Sequence, residues 1–136
     1  MDDATGGAGS AAGRLSAAEF RAVVVETLKS LPAEFQPYLK NCSVLIEPVP
    51  PPEVLAEIEL DPDDVLYGLY LGVPLTERGH GSEPVLPDRI YIFSEPLMED
   101  CETVEDLREE IAITVVHELA HHFGFDEDLL ERLGYG

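Results

Sequence analysis

Cysteine is scarce in this chain of 136 residues: there are two, Cys42 and Cys101. They are far apart and form no Cys-x-x-Cys pair, which excludes a zinc ribbon and a dense disulfide framework. Two free thiols in a cytoplasmic protein are the expected state, with a single disulfide as the lesser alternative. Basic side chains are also few, 8 Lys and Arg against 28 Asp and Glu, for a formal charge of −20. Nucleic acid and anionic membrane both need a positive surface to bind, so neither is expected as a partner. The acidic excess reads as a solubilising surface and only weakly favours neutral or basic substrates. Long apolar runs are absent as well. The longest reach about six residues, against roughly 20 for a membrane span. The first residues, Met1-Asp2-Asp3, lead into a Gly/Ala/Ser-rich stretch with no basic start and no apolar segment. Residues 1–14 are therefore expected to be a disordered tail, not a secretion leader. Residues 15–136 are expected to form one domain with a modest core. Nothing in the sequence fixes the oligomeric state.

What the chain does have is His117-Glu118-Leu119-Ala120-His121. Two histidines four apart on a helix lie on one face, so both imidazoles can reach one metal ion. A glutamate beside the first histidine can reach a water on that metal and take its proton. The pattern is that of a zinc-dependent hydrolase.

Its surroundings read as a helix from Thr103 to Phe123. Thr103 is a candidate N-cap, and Glu105, Asp106, Glu109 and Glu110 suit the positive end of the helix dipole. Val104, Leu107, Ile111, Val115 and Leu119 form an apolar stripe, widened by Ala112, Val116 and Phe123. His117 and His121 fall beside that stripe, so the helix can pack on a core and still present both to a cleft. Gly124 follows where a helix would end at positive φ, letting the chain turn back toward the metal.

Upstream, Ser16-Ala17-Ala18-Glu19 is a capping-box signature. The helix it opens has Phe20, Val23, Val24, Thr27, Leu28 and Leu31 as its apolar face and stops before Pro32. Residues 35–39 are a connector with room for a helical turn. Residues 43–49, 66–72 and 89–93 read as strands, the first closed by Pro50-Pro51-Pro52. Residues 53–57 suit a short helix, and a long Gly/Pro-containing loop spans 73–88. Residues 98–101 read as a connector to the motif helix. Residues 126–133 form a last helix with Asp126 as its N-cap. The expected fold is α+β: a small mixed sheet of about three to four strands packed on the motif helix, with an N-terminal helix and a short C-terminal helix.

These pieces resemble the zincins, and in particular the minimal-zincin family of small bacterial zinc metallopeptidases. The strongest segment of the likeness is His117-Glu118-Leu119-Ala120-His121-His122-Phe123-Gly124-Phe125-Asp126-Glu127-Asp128-Leu129. Gly68-Leu69-Tyr70-Leu71-Gly72-Val73-Pro74-Leu75-Thr76-Glu77-Arg78 and Leu86-Pro87-Asp88-Arg89-Ile90-Tyr91-Ile92-Phe93 support it. The likeness spans roughly residues 16–134. It implies a reduced zincin core, zinc as cofactor and a peptide or protein as substrate. The family motif continues past the second histidine through a glycine to a third ligand, which falls on Glu127. Metzincins carry histidine there and minimal zincins typically aspartate. Glutamate departs from both; it keeps an oxygen donor but lengthens the arm by a methylene. Asp126 is the next candidate, although its part as a helix cap competes with ligation. By analogy with zincins, the strand Arg89–Phe93 is the candidate edge for pairing with an extended substrate.

Other residues have plainer readings. His122 points about 100° away from His121 around the helix and reads as a surface or supporting residue. His80, in the Gly-rich loop, reads as solvated. Glu110, seven residues before His117, is as suited to the solvated helix face as to orienting a ligand. Tyr67, Tyr70 and Tyr91 read as core residues, and nothing in the sequence picks one as an oxyanion donor.

Two functions follow. In the first, His117, His121 and an acidic ligand hold Zn²⁺ and Glu118 is the general base of a peptidase. The alternative is a non-catalytic zincin-fold module that binds metal and interacts with another protein. Intact Glu118 favours the first, since a structural site needs no base. A third and weaker reading is a metal-free domain whose acidic residues at 126–128 serve only as a helix cap.

Overall fold

Thr103 opens the long helix as its sequence requires. Its Oγ1 accepts the Asp106 N–H at 3.0 Å, and the helix then runs Val104–Phe123. Gly124 ends it at φ 73°, where a side chain would be strained, and its N–H returns to the Ala120 carbonyl. A computed structural model describes residues 15–55, 66–72 and 88–135. The expected tail at 1–14, and the loop that carries His80, lie outside the described residues.

The elements are α1 (Ala17–Ser30), a 3₁₀ turn (Ala33–Phe35) leading into α2 (Gln36–Lys40), β1 (Cys42–Glu47), α3 (Pro52–Leu55), β2 (Gly68–Leu71), β3 (Asp88–Phe93), α4 (Ser94–Asp100), α5 (Val104–Phe123) and α6 (Glu127–Arg132). The capping box at α1 forms in both directions: Glu19 N–H donates to Ser16 Oγ, and Ser16 N–H donates to Glu19 Oε1. Asp126 caps α6 through the Leu129 N–H at 2.8 Å. Together these make the α+β domain expected from the sequence. Among the described residues no helix is long and apolar enough to cross a membrane.

The sheet has the order β1-β3-β2. β1 runs parallel to β3 with Cys42 opposite Asp88, and β2 runs antiparallel to β3 with Tyr70 opposite Ile90. β3 is therefore the central strand, paired on both sides, and Arg89–Phe93 has no free edge for a substrate. The reason is visible in its residues. Ile90, Tyr91, Ile92 and Phe93 are all buried, on both faces, as suits a middle strand.

Alternation sorts the sheet into two faces. Ile90 and Ile92 join Val44, Ile46 and Tyr70 in the main core against α1 and α5, where Phe20, Val24, Leu107, Ile111, Val115 and Leu119 are buried. Tyr91 and Phe93 point the other way and pack with Val54, Leu45, Leu69 and Leu71. In the apolar stripe of α5, Leu107, Ile111, Val115, Val116 and Leu119 are buried, Val104 and Ala112 are half-buried, and the end is exposed. Phe123 is 40% exposed and lies against Tyr38 at 4.6 Å between ring centroids.

α4 occupies the stretch that read as a connector. Its N-cap position, Phe93, makes no side-chain cap, and Pro96 stands in the first turn, where proline is tolerated because no intrahelical N–H is needed. Leu97, fully buried, anchors it instead. The last turn of the chain is drawn inward as well. Tyr135 N–H donates to the Leu130 carbonyl at 2.7 Å, and the Tyr135 ring meets Phe35 edge-on.

Candidate metal and catalytic centre

β2 lies lengthwise along α5, and glycine makes the approach possible. A Cβ on Gly68 would stand 2.8 Å from both Thr114 Cγ2 and the Tyr91 carbonyl oxygen. A Cβ on Gly72 would stand 2.5 Å from His122 Cε1. Between those two contacts, Tyr70 N–H donates to Glu118 Oε1 at 2.8 Å. Residues 68, 70 and 72 thus meet residues 114, 118 and 122, one helical turn apart each time.

The bonding pattern of the sheet explains why the Tyr70 N–H is available. Phe93 N–H donates to the Tyr67 carbonyl, so that pair exchanges ladder bonds with β3. In an antiparallel ladder bonded and non-bonded pairs alternate, which turns the Tyr70 backbone groups to the outer edge of β2. There the Glu118 carboxylate takes the N–H.

The other flank of α5 faces the end of the chain. His117 Nε2 lies 3.1 Å from the Tyr135 carbonyl oxygen. A carbonyl can only accept, so Nε2 is the donor in this contact. His117 and His121 are both exposed, while their helix neighbours Val116, Leu119 and Ala120 are buried. The two imidazoles therefore sit on the open face of α5, with β2 on one side and the Leu133–Tyr135 segment on the other.

Glu118 is half-buried, and burial pushes its carboxyl pKa above the usual range. The Tyr70 hydrogen bond and the charges of His121 and His117 oppose that shift.

The third ligand is less complete. Glu127 is an exposed residue in the first turn of α6, and Asp126 is committed to its cap. Among the described residues, no three His, Cys, Asp or Glu side chains gather closely enough to hold a metal ion. Two imidazoles one turn apart with a carboxylate between them suit a zinc-sized ion in donor chemistry.

The tyrosines left open by the sequence are now distinguishable. Tyr67 OH donates to Asp100, which together with burial pushes the phenol up to about 12. Tyr91 packs on the face of the sheet away from α5, with Arg89 over its ring at 5.8 Å. Tyr70 OH donates to Asp88 Oδ2 at 2.6 Å. Glu110 lies where its charge bears on Tyr67 and Cys101.

His122, exposed on α5, has the supporting contacts that the sequence left open beside a surface role. It is four residues after Glu118, hence on the same side of α5. Its ring lies 4.2 Å from the Tyr70 ring, and its Nε2 is 4.0 Å from Asp88 Oδ2. Sequence reasoning did not single out Asp88. The available signal was a lone acidic residue at the head of an apolar strand, on the face shared with Ile90 and Ile92.

The sequence profile of the zincin-like metallopeptidase family matches residues 39–136 of the chain. No curated protein shows significant similarity to it.

Proposed function

Because the chain belongs to the zincin-like metallopeptidase family, we propose that it hydrolyses peptide bonds, with a zinc ion on His117 and His121 and Glu118 as the general base. The observation that carries this reading is the setting of Glu118. Its Oε1 is pinned by the Tyr70 N–H, and it stands half-buried beside the two exposed histidines of the motif.

Bound zinc would supply Lewis acidity, lowering the pKa of its water toward neutrality and polarising the scissile carbonyl. Glu118 takes the proton of the attacking water. Oε1 is occupied by the Tyr70 N–H, so Oε2 is the receiving oxygen. Burial raises the basicity of that carboxylate, and a raised pKa favours proton pick-up near neutral pH. The same oxygen then delivers the proton to the leaving amine.

Glu127 is the proposed third donor, with Asp126 next. Recruiting Asp126 would break the α6 cap, at a cost of about 1 kcal/mol, whereas Glu127 holds no such bond. Both cysteines are free, which fits a reducing compartment such as the cytoplasm.

The alternative is a metal-binding module without catalysis that docks on another protein. The test begins with metal content by mass spectrometry on protein purified without chelator, beside the His117→Ala variant. About one zinc per chain, lost in the variant, is the expected result. A peptide-library screen with Glu118→Gln as control then separates the two readings. Hydrolysis lost with zinc retained supports the peptidase. Zinc bound with no cleavage in either protein moves the weight to the binding module.

A further inference from the structure

Tyr70 is held at both ends. Its backbone N–H bonds Glu118 Oε1 at 2.8 Å, and its hydroxyl bonds Asp88 Oδ2 at 2.6 Å. Asp88 is 7% exposed and heads the central strand β3, on the face it shares with Ile90 and Ile92. A carboxylate in such a place is costly unless it is bonded, and a replacement by apolar groups of the same shape is often no less stable. Fold stability alone is therefore a weak reason for its presence.

We infer that Asp88 is a positioning residue for the base Glu118, acting through Tyr70. The inference rests on the peptidase reading for its catalytic consequence, though its structural part stands without it. The hydroxyl-to-carboxylate bond is charge-assisted and so stronger and shorter than a neutral one. It fixes the Tyr70 side chain from the sheet. The His122 ring at 4.2 Å closes on the same side chain from α5, and Cys42 Sγ lies 3.3 Å from the hydroxyl from β1. Tyr70 is thus clamped from three elements, and the place of its N–H is set with it.

That N–H decides where the carboxylate of Glu118 points. β2 is the last strand on its side of the described sheet. Removing the Asp88 bond takes away the charged hold on the Tyr70 side chain, and with it the setting of the Tyr70 N–H. A base misplaced by about 1 Å can lose on the order of a hundredfold in rate.

The test uses the full chain, zinc-free and ¹⁵N-labelled, as parent, Asp88→Asn, Tyr70→Phe and Glu118→Gln. The position-70 amide is expected to move in Glu118→Gln, because its acceptor changes. It is expected to move the same way in Asp88→Asn and Tyr70→Phe, with hydrogen exchange at least roughly tenfold faster, while the β1–β3 ladder amides keep their protection. Tyr70→Phe keeps the ring, so it serves should Asp88→Asn not fold.

In the zinc-loaded protein on fluorogenic peptides, both variants are expected to lower kcat about 10- to 100-fold with KM within roughly threefold, and the double variant to fall no further than the worse single. Zinc affinity stays the same. An unmoved position-70 amide in both Asp88→Asn and Tyr70→Phe overturns the inference, whatever the kinetics. A parent that cleaves nothing counts against the peptidase reading alone, since the amide result still decides whether Asp88 positions Glu118.

Discussion

Gly72 lies so close to His122 that a Cβ there would stand 2.5 Å from the imidazole Cε1. The ring packs against Tyr70 at 4.2 Å between centroids, tilted by 31°, which blocks it from yielding toward that side. Gly72→Ala should therefore push β2 off α5 and cost about 1–3 kcal/mol, the usual range for forced overpacking. Gly68→Ala should cost at least as much, since one of its obstacles is the Tyr91 backbone carbonyl at 2.8 Å. Urea denaturation of both variants checks this. Parent-like midpoints would mean that β2 does not rest on α5 as closely as described.

Glu118 is held in a place that raises its pKa, chiefly by burial. A carboxyl whose folded pKa lies above its unfolded value favours the fold most below the unfolded pKa, and that contribution is lost as pH rises through the folded value. At pH 7.5 the ionised Glu118 is therefore a cost to the zinc-free protein. Glu118→Gln keeps the size and the acceptor for Tyr70 and removes the charge. It should melt at the same temperature as the parent or higher at pH 7.5, and any advantage should vanish at acid pH. A variant clearly less stable at pH 7.5 would show that burial does not dominate at this site.

The motif helix was legible because all its signals are local. Thr103, the acidic first turn, the apolar stripe and Gly124 occupy one contiguous stretch, and each acts where it stands. The two caps at Ser16 and Asp126 were legible for the same reason. The place of β3 was not, because strand order depends on pairing between segments distant in sequence, and its continuous apolar run is the mark of a central strand. α4 was hidden by a proline in its first turn and the lack of a capping side chain. At the site, His117, Glu118 and His121 announce themselves by spacing. The partner of Glu118 could not: it is a backbone N–H, 48 residues away, which no side-chain pattern encodes.

Both thiols should be slow to react. Burial pushes the Cys42 and Cys101 thiols up, and at Cys101 the charges of Glu110, Asp106 and Asp100 add to the shift. The thiolate is the reactive form, so little is available at pH 7 to 8. Native protein with a chromogenic disulfide reagent at pH 8 should react at least roughly tenfold more slowly than the urea-unfolded chain, in which both thiols are titrated. Rapid stoichiometric labelling of one thiol in the native state would contradict the burial described for it.

The third donor can be separated from the helix cap, because the two acidic candidates do different work in the zinc-free fold. Asp126 accepts the Leu129 N–H at 2.8 Å, and its replacement by alanine should cost about 1 kcal/mol of stability without metal. Glu127 is exposed in the first turn, so Glu127→Ala should leave the zinc-free stability within about 0.5 kcal/mol of the parent. Zinc affinity, measured by competition with a chromophoric chelator, should show the opposite order. Glu127→Ala should weaken binding roughly tenfold or more, and Asp126→Ala much less. If the affinity loss follows Asp126 instead, the ligand register is shifted by one residue and the cap opens on binding. If neither variant loses affinity, the third donor comes from neither residue.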